Sequence, residues 1–316
     1  MHTWVPFNAF VILLLILDLI LLQRRHRGIS TRSALWGSAV WIALALMFNV
    51  GIYFVSGKEQ ALEFLTGYLV EKALSIDNVF VFLIIFAHFR VPAECVERVN
   101  LWGSLGALIL RLLFIVAGVA LLQRFHWGIY PFGALLILSG AWLAYRKGRA
   151  IHLESNFLIR VATKLFPVTT KYDGVRFFVH QFGRLNATPL LLVLVLVGTT
   201  DIMFGVDSVP AILAISRDPF IVYTSNVFAI LGFGWLYFAL AEIVQMFHLI
   251  HYGLSAVLVF LGAKIILTDL YKVPTSLSFA VIVVVLGFSI VASLIWPQVS
   301  PTSPRQRPTG TNRRVS

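Results

Sequence analysis

The chain has 316 residues, of which 59% are hydrophobic and only 12% charged, and its formal net charge is +11 at pH 7. A soluble globule carries about 25% charged residues, so this composition excludes a soluble enzyme or binding module and indicates an all-α, polytopic membrane helix bundle. A basic chain can also signal nucleic-acid binding, but here the Lys and Arg residues flank apolar segments, which makes them a topology signal and no nucleic-acid partner is expected.

Apolar blocks of roughly 18 to 28 residues fall at 5–22, 34–56, 61–88, 100–122, 129–146, 190–216, 223–246, 251–270 and 277–296. Each is long enough to cross a ~30 Å hydrocarbon core as a helix, so about nine transmembrane helices are expected, with residues 1–296 as one membrane domain. The first block differs from a signal peptide, whose positive charge precedes the apolar run. Here "MHTWVPFN" lacks Lys and Arg, and "RRHRG" follows the run. It reads as an uncleaved span with its N-terminus outside. The segments then assigned to the inner side hold eighteen Lys and Arg against four outside (Lys58, Arg124, Arg217 and Lys272). That excess orients the chain N-out and C-in by the positive-inside rule. Lys72, Arg111 and Lys264 fall inside spans.

The 147–189 segment is the one substantial loop and is expected on the cytoplasmic side. "ESNFLIRVATKLF" (154–166) has the pattern of an amphipathic surface helix, and "KYDGVRFFVHQFGRL" (171–185) that of a small hairpin, with Asp-Gly and alternating apolar residues. The tail 297–316, rich in Pro, Arg, Ser and Thr, is expected to be disordered. The single Cys95 permits neither an intrachain disulfide nor a multi-thiolate metal site.

Two halves of the chain repeat each other, about 61–146 and 190–270. "EKALSIDNVFVFLI" (71–84) aligns with "DIMFGVDSVPAILA" (201–214), "NLWGSLG" (100–106) with "NVFAILG" (226–232), and "FHWGIYPFGALLILSG" (125–140) with "FHLIHYGLSAVLVFLG" (247–262). Three spans per unit is an odd number, so the second copy enters the membrane in the opposite direction. Inverted repeats of this kind are a recurring plan of secondary transporters, with the site near the midplane where the repeats meet.

The acids in that motif are costly where they lie, because burying a charge in hydrocarbon costs several kcal/mol. On an unbroken helix, Glu71 and Asp77 stand about 120° apart and roughly 9 Å apart along the axis, so one straight helix cannot chelate an ion with both. Two geometries solve this. The helices unwind locally at "LSID" and "FGVD", exposing carbonyls beside a cavity, or Asp77 and Asp207 converge from opposite repeats with Glu71 and Asp201 above and below; a mixture of the two is expected. With Asn78, Ser208 and Thr200 they form a hard, oxygen-only set suited to Mg, Ca or Mn. Crowded acids raise one another's pKa, which makes proton exchange a natural release step. The structural alternative is that each acid pairs with Lys72, Arg111 or Lys264 and merely locks helices together; Arg111 and Lys264 read as counter-charges rather than ligands. Asp18 and Glu242, near span ends, read as snorkelling to headgroups, and His126 and His248 as interfacial hydrogen-bonders. No Ser-His-Asp arrangement, HExxH or Walker A loop is present, so no enzyme activity and no permanently bound cofactor are expected.

The stretches "LTGYLVEKALSIDNVFVF" (65–82), "ATPLLLVLVLVGTTDIMFGVDSVPAI" (187–212) and "SRDPFIVYTSNVFAILG" (216–232) resemble the TerC family, including its Alx-like members, and the likeness runs from about residue 10 to residue 295. The resemblance implies a plasma-membrane exporter of manganese, in a family named for tellurium resistance, with some members tied to metal loading of exported proteins. Carried over, Glu71, Asp77, Asn78, Asp201, Asp207 and Ser208 match the family's polar motif. Two positions depart from the Alx-like pattern: Gly198, where an acid is usual, and Gly234, commonly Arg. Together they look like the removal of an ion pair. A membrane scaffold of a metal or tellurium stress-response complex and a calcium/proton antiporter are the competing readings. Tellurite itself fits poorly, since an oxyanion needs positive groups and the motifs are mainly negative.

Overall fold

Proline and glycine punctuate the chain where its helices start and stop. A computed structural model describes residues 4–23, 30–145, 164, 167–169, 171–181, 184–241 and 249–296. The helices are α1 (Trp4–Gln23), α2 (Thr31–Ser56), α3 (Lys58–His88), α4 (Ala93–Arg124), α5 (Ile129–Tyr145), α6 (Pro189–Leu213), α7 (Pro219–Ile230), α8 (Phe233–Leu240), α9 (Ile250–Ile266) and α10 (Thr275–Ile295). Ser30 caps α2 by accepting from the Ser33 amide. Gly57, at φ +99°, turns the chain between α2 and α3 in a conformation that favours glycine. Pro219 opens α7 behind Asp218, whose carboxylate accepts from the Phe220 and Ile221 amides.

Helix occupies each of the nine apolar blocks, but they are not equivalent. Among the described residues, five helices are long and apolar enough to cross a membrane: α2, α4, α6, α9 with its 3-10 extension, and α10. The pair α7 and α8, bent by 45°, makes a sixth if counted as one interrupted span. The apolar parts of α1 and α5 are shorter. The 31-residue α3 carries Glu63, Glu71, Lys72 and Asp77 along its length. Outward faces are apolar as lipid requires: Phe54, Val55 and Phe288 are exposed.

Helices from the first half pack on helices from the second. The most extensive pairings join α5 with α9, α4 with α6, and α3 with α7. The α5–α9 contact is made by small residues: a Cβ on Gly262 would lie 2.6 Å from the Gly133 carbonyl, and one on Gly140 would lie 2.8 Å from the Ser255 carbonyl. Ser255 Oγ donates to the Gly140 carbonyl across the same seam. Only residues without bulk let two backbones approach this closely.

A small hairpin forms in the long loop, but not at the Asp-Gly. Strands β1 (Phe178–Gln181) and β2 (Arg184–Ala187) pair antiparallel with Phe178 opposite Ala187 and Gln181 opposite Arg184. Asp173 and Gly174 serve a docking turn instead. The Tyr172 hydroxyl donates to the Phe89 carbonyl and Cys95 Sγ donates to the Gly174 carbonyl, which ties the segment to the α3–α4 corner. Burial there pushes the Tyr172 hydroxyl up to about 12. All but residue 164 of the surface helix expected over 154–166, the tail 297–316, Glu242, His248 and the side chain of His126 lie outside the described residues.

Candidate functional site

Neither acidic motif unwinds its helix. The α3 helix runs unbroken through Ser75, whose hydroxyl folds back to the Glu71 carbonyl, and α6 runs unbroken through Gly205. Gly205 instead makes room: a Cβ there would stand 3.0 Å from the Phe114 ring. The local unwinding expected at those two places is therefore not found, and the acids of the two motifs are carried on different, continuous helices. An interruption does exist, but elsewhere, at Leu231–Gly232 between α7 and α8, where Gly232 takes φ +74°.

A narrow, partly open cleft lies between α3, α4, α5, α6 and α9; with the solvent at its mouth counted in, it encloses about 420 Å³. Glu71, Asp77 and Asn78 reach it from α3, Arg111 from α4, and Asp207 and Ser208 from α6. Glu71 is almost wholly buried and is held by Arg111 in an ion pair. Arg111 Nη1 donates also to Asn226 Oδ1, 2.9 Å away on α7, and the Asn226 amide donates to the Val222 carbonyl of its own helix. Asp207 Oδ1 accepts from Ser139 Oγ of α5 at 2.7 Å. Ser208 Oγ is buried without a hydrogen-bond partner. Among the described residues nothing answers this hydroxyl, and a buried hydroxyl left unsatisfied costs on the order of 1–3 kcal/mol, so this atom is an open demand for a ligand.

Three of the residues singled out from sequence stand apart from the cleft lining. Asp201 feels the Arg111 charge but accepts no hydrogen bond among the described residues. Thr200 turns its hydroxyl back to the Val197 carbonyl. Lys264 stands in the field of Glu63, near the start of α3. Gly198 and Gly234 also lie outside the lining: a Cβ at Gly198 would meet nothing within 4 Å, and Gly234 is buried in α8. Among the described residues, no three His, Cys, Asp or Glu side chains are grouped closely enough to hold a metal ion as they stand. The carboxylates thus line a cleft and do not form a closed shell.

Sequence reasoning missed two features. Ser139 is a lone hydroxyl in an apolar span, and only the packing of α5 on α6 and α9 reveals that it faces Asp207. Asp18 was expected to snorkel outward, but it turns inward. Its Oδ1 accepts from the indoles of Trp41 and Trp235, each at 2.8 Å. Two tryptophans already at hydrogen-bonding distance satisfy the carboxylate inside the bundle, where a headgroup would otherwise have been needed. Lys72, available on paper as a counter-charge for Glu71, donates instead to the carbonyls of Ala229 and Leu231.

Comparison with known proteins places these features in context. The model of the family described as "Integral membrane protein TerC family" matches residues 56–300. The Myxococcus xanthus "Uncharacterized membrane protein STKORF319" is 48% identical over 305 residues, covering 96% of both chains. The protein of Escherichia coli strain K12 named "Putative membrane-bound redox modulator Alx" is 41% identical over 314 residues, covering 96% of this chain and 97% of its own length. Its Salmonella typhi namesake is 40% identical over 297 residues, covering 91% and 92%. No solved structure matches the chain.

Proposed function

Because this chain belongs to the TerC family of integral membrane proteins, we propose that it exports a divalent metal cation, manganese foremost, from the cytoplasm across the plasma membrane in exchange for protons. The observation that carries the reading is the charge and donor chemistry of the cleft. Three carboxylates (Glu71, Asp77 and Asp207) face one guanidinium (Arg111), leaving a formal charge of −2 that one divalent cation neutralises. The remaining donors, the Asn78 carboxamide, the Ser139 hydroxyl and the unpartnered Ser208 hydroxyl, are oxygen ligands of the kind hard cations take.

The open geometry suits cargo better than a resident metal. A transporter site must bind well enough to load and weakly enough to release, and a cleft whose acids are not yet gathered meets that need. Arg111 is placed to compete with the cation for Glu71, so loading and the Glu71–Arg111 pair oppose each other. The inverted arrangement of the two halves is supported by the α5–α9 seam: Gly140 and Gly262 align in the repeats, as do Gly133 and Ser255, and the contacts join Gly133 to Gly262 and Gly140 to Ser255. A two-fold relating the halves exchanges those two contacts. The redox role in the names of the Alx relatives finds no dithiol in this chain, whose one cysteine is buried.

The test is uptake into inverted vesicles at a fixed pH gradient, comparing Mn, Ca and Mg. Manganese uptake that collapses when the gradient is dissipated is the expected result. Equal rates in vesicles with and without the protein, for all three ions, would overturn the proposal; calcium-selective uptake would move it to the antiporter reading.

A further inference from the structure

The interruption between α7 and α8 forms a second polar cluster, separate from the cleft. A helix end leaves its last carbonyls without intrahelical partners, and those carbonyls carry partial negative charge. At this end, Lys72 Nζ lies 2.9 Å from the Ala229 oxygen and 3.4 Å from the Leu231 oxygen. The Tyr68 ring sits 5.9 Å from the same ammonium, and the Tyr68 hydroxyl is buried with no partner. The charged groups whose fields reach Lys72 are Asp18 from α1 and Glu71 from its own helix. Elsewhere α2 and α8 close the cluster with indoles: Trp41 packs on Gly232, where a Cβ would stand 2.4 Å from its ring, and both Trp41 and Trp235 donate to Asp18.

Two main-chain carbonyls at a broken membrane helix, backed by a carboxylate, make the kind of site at which interrupted helices coordinate a free sodium ion. Here the position is taken by a side chain. We propose that the α7–α8 interruption is a monovalent-cation site filled by the chain's own Lys72, which acts as a tethered cation and makes the fold independent of sodium or potassium. An ammonium on a four-carbon stem supplies the charge and the hydrogen-bond donors that the carbonyls need. It also requires no ion to bind from solution. The inference concerns a cluster outside the metal cleft and is scored on stability, so it stands or falls separately from metal export.

The experiment measures thermal unfolding of the full-length protein in detergent, in sodium, potassium or choline chloride at equal ionic strength. Wild-type protein is expected to unfold at one temperature in all three. Lys72→Met, which empties the ammonium position while keeping the stem, is expected to be less stable in choline and to recover by about 5 °C in sodium or potassium, the size expected of a site filled well above its dissociation constant. Adding Asp18→Asn should abolish that recovery. A sodium or potassium effect on wild-type protein, or identical melting of Lys72→Met in all three salts, would overturn the proposal. Failure of Lys72→Met to fold in sodium and potassium as well as choline would show that a free ion cannot replace the ammonium, and overturns it equally.

Discussion

The charged side chains around Lys72 and those in the cleft solve the cost of burial in opposite ways. Around Lys72, the ammonium meets two carbonyls and Asp18 meets two indoles. Every strong charge there has a partner from the protein. In the cleft, Glu71 is neutralised by Arg111 and Asp207 accepts from Ser139, but Asp77 and Asp207 add negative charge beyond the one guanidinium of the lining, and among the described residues nothing answers the Ser208 hydroxyl. A buried group that is satisfied rigidifies; one left short of partners is a place where something else binds. The contrast therefore separates a structural cluster from a candidate transport site, though both lie on α3 and are adjacent at Glu71 and Lys72.

The strongest way to break the contrast is to neutralise the surplus acids. Asp77→Asn or Asp207→Asn should reduce manganese export to background in inverted vesicles while the amount of protein in the membrane, read by immunoblot, stays at the wild-type level. Loss of abundance in step with export would make these acids structural, like Asp18. Next in size is Arg111→Met, which leaves Glu71 buried without its partner. It should cost about 3–5 kcal/mol, visible as lower abundance and earlier thermal unfolding, and Arg111→Met with Glu71→Gln should recover most of the loss. If the single substitution proves neutral, the pair is not what holds α3 to α4.

A smaller effect is expected at the helix seam that brings Ser139 to the cleft. Gly262→Ala forces a Cβ toward the Gly133 carbonyl and should destabilise by about 1–3 kcal/mol, with the cost read in melting temperature and no new dependence on sodium, since Lys72 still fills its position. Smallest is Ser139→Ala. Losing one hydrogen bond to Asp207 should cost about 1 kcal/mol, roughly a fivefold weaker apparent affinity for manganese, with stability unchanged. An unchanged affinity would remove Ser139 from the site.

Much of this molecule was legible in one dimension because hydrocarbon is an unforgiving solvent. Long apolar blocks mark helices, since only internally hydrogen-bonded backbone survives in lipid, and helices occupy those blocks here. Acids inside such blocks stand out for the same reason, as Glu71, Asp77 and Asp207 do. The 45° interruption after Leu231 carried a faint signal, a glycine ending "NVFAILG", but Ser75 and Gly205 carried equally good ones and proved to be a satisfied hydroxyl and a packing gap. Local sequence cannot rank such sites, because what decides is whether a neighbouring helix supplies a partner for the freed carbonyls.

What the amino-acid sequence determined by itself is membrane residence, helical class and the presence of costly carboxylates, which follow from composition and short-range pattern, and family membership, which follows from likeness to known relatives. Which acids share a cleft, and which are retired by a partner, belonged to tertiary structure alone. Glu71 and Asp201 occupy matching places in the two motifs, yet only Glu71 lies in the cleft lining, paired with Arg111. Asp18 reads in the sequence as snorkelling at a span end and Lys72 as an intramembrane counter-charge, yet each finds its partners on other helices. The reason is physical: the energy of a buried charge depends on atoms within a few ångströms, and in a bundle those atoms come from segments more than a hundred residues away in the chain.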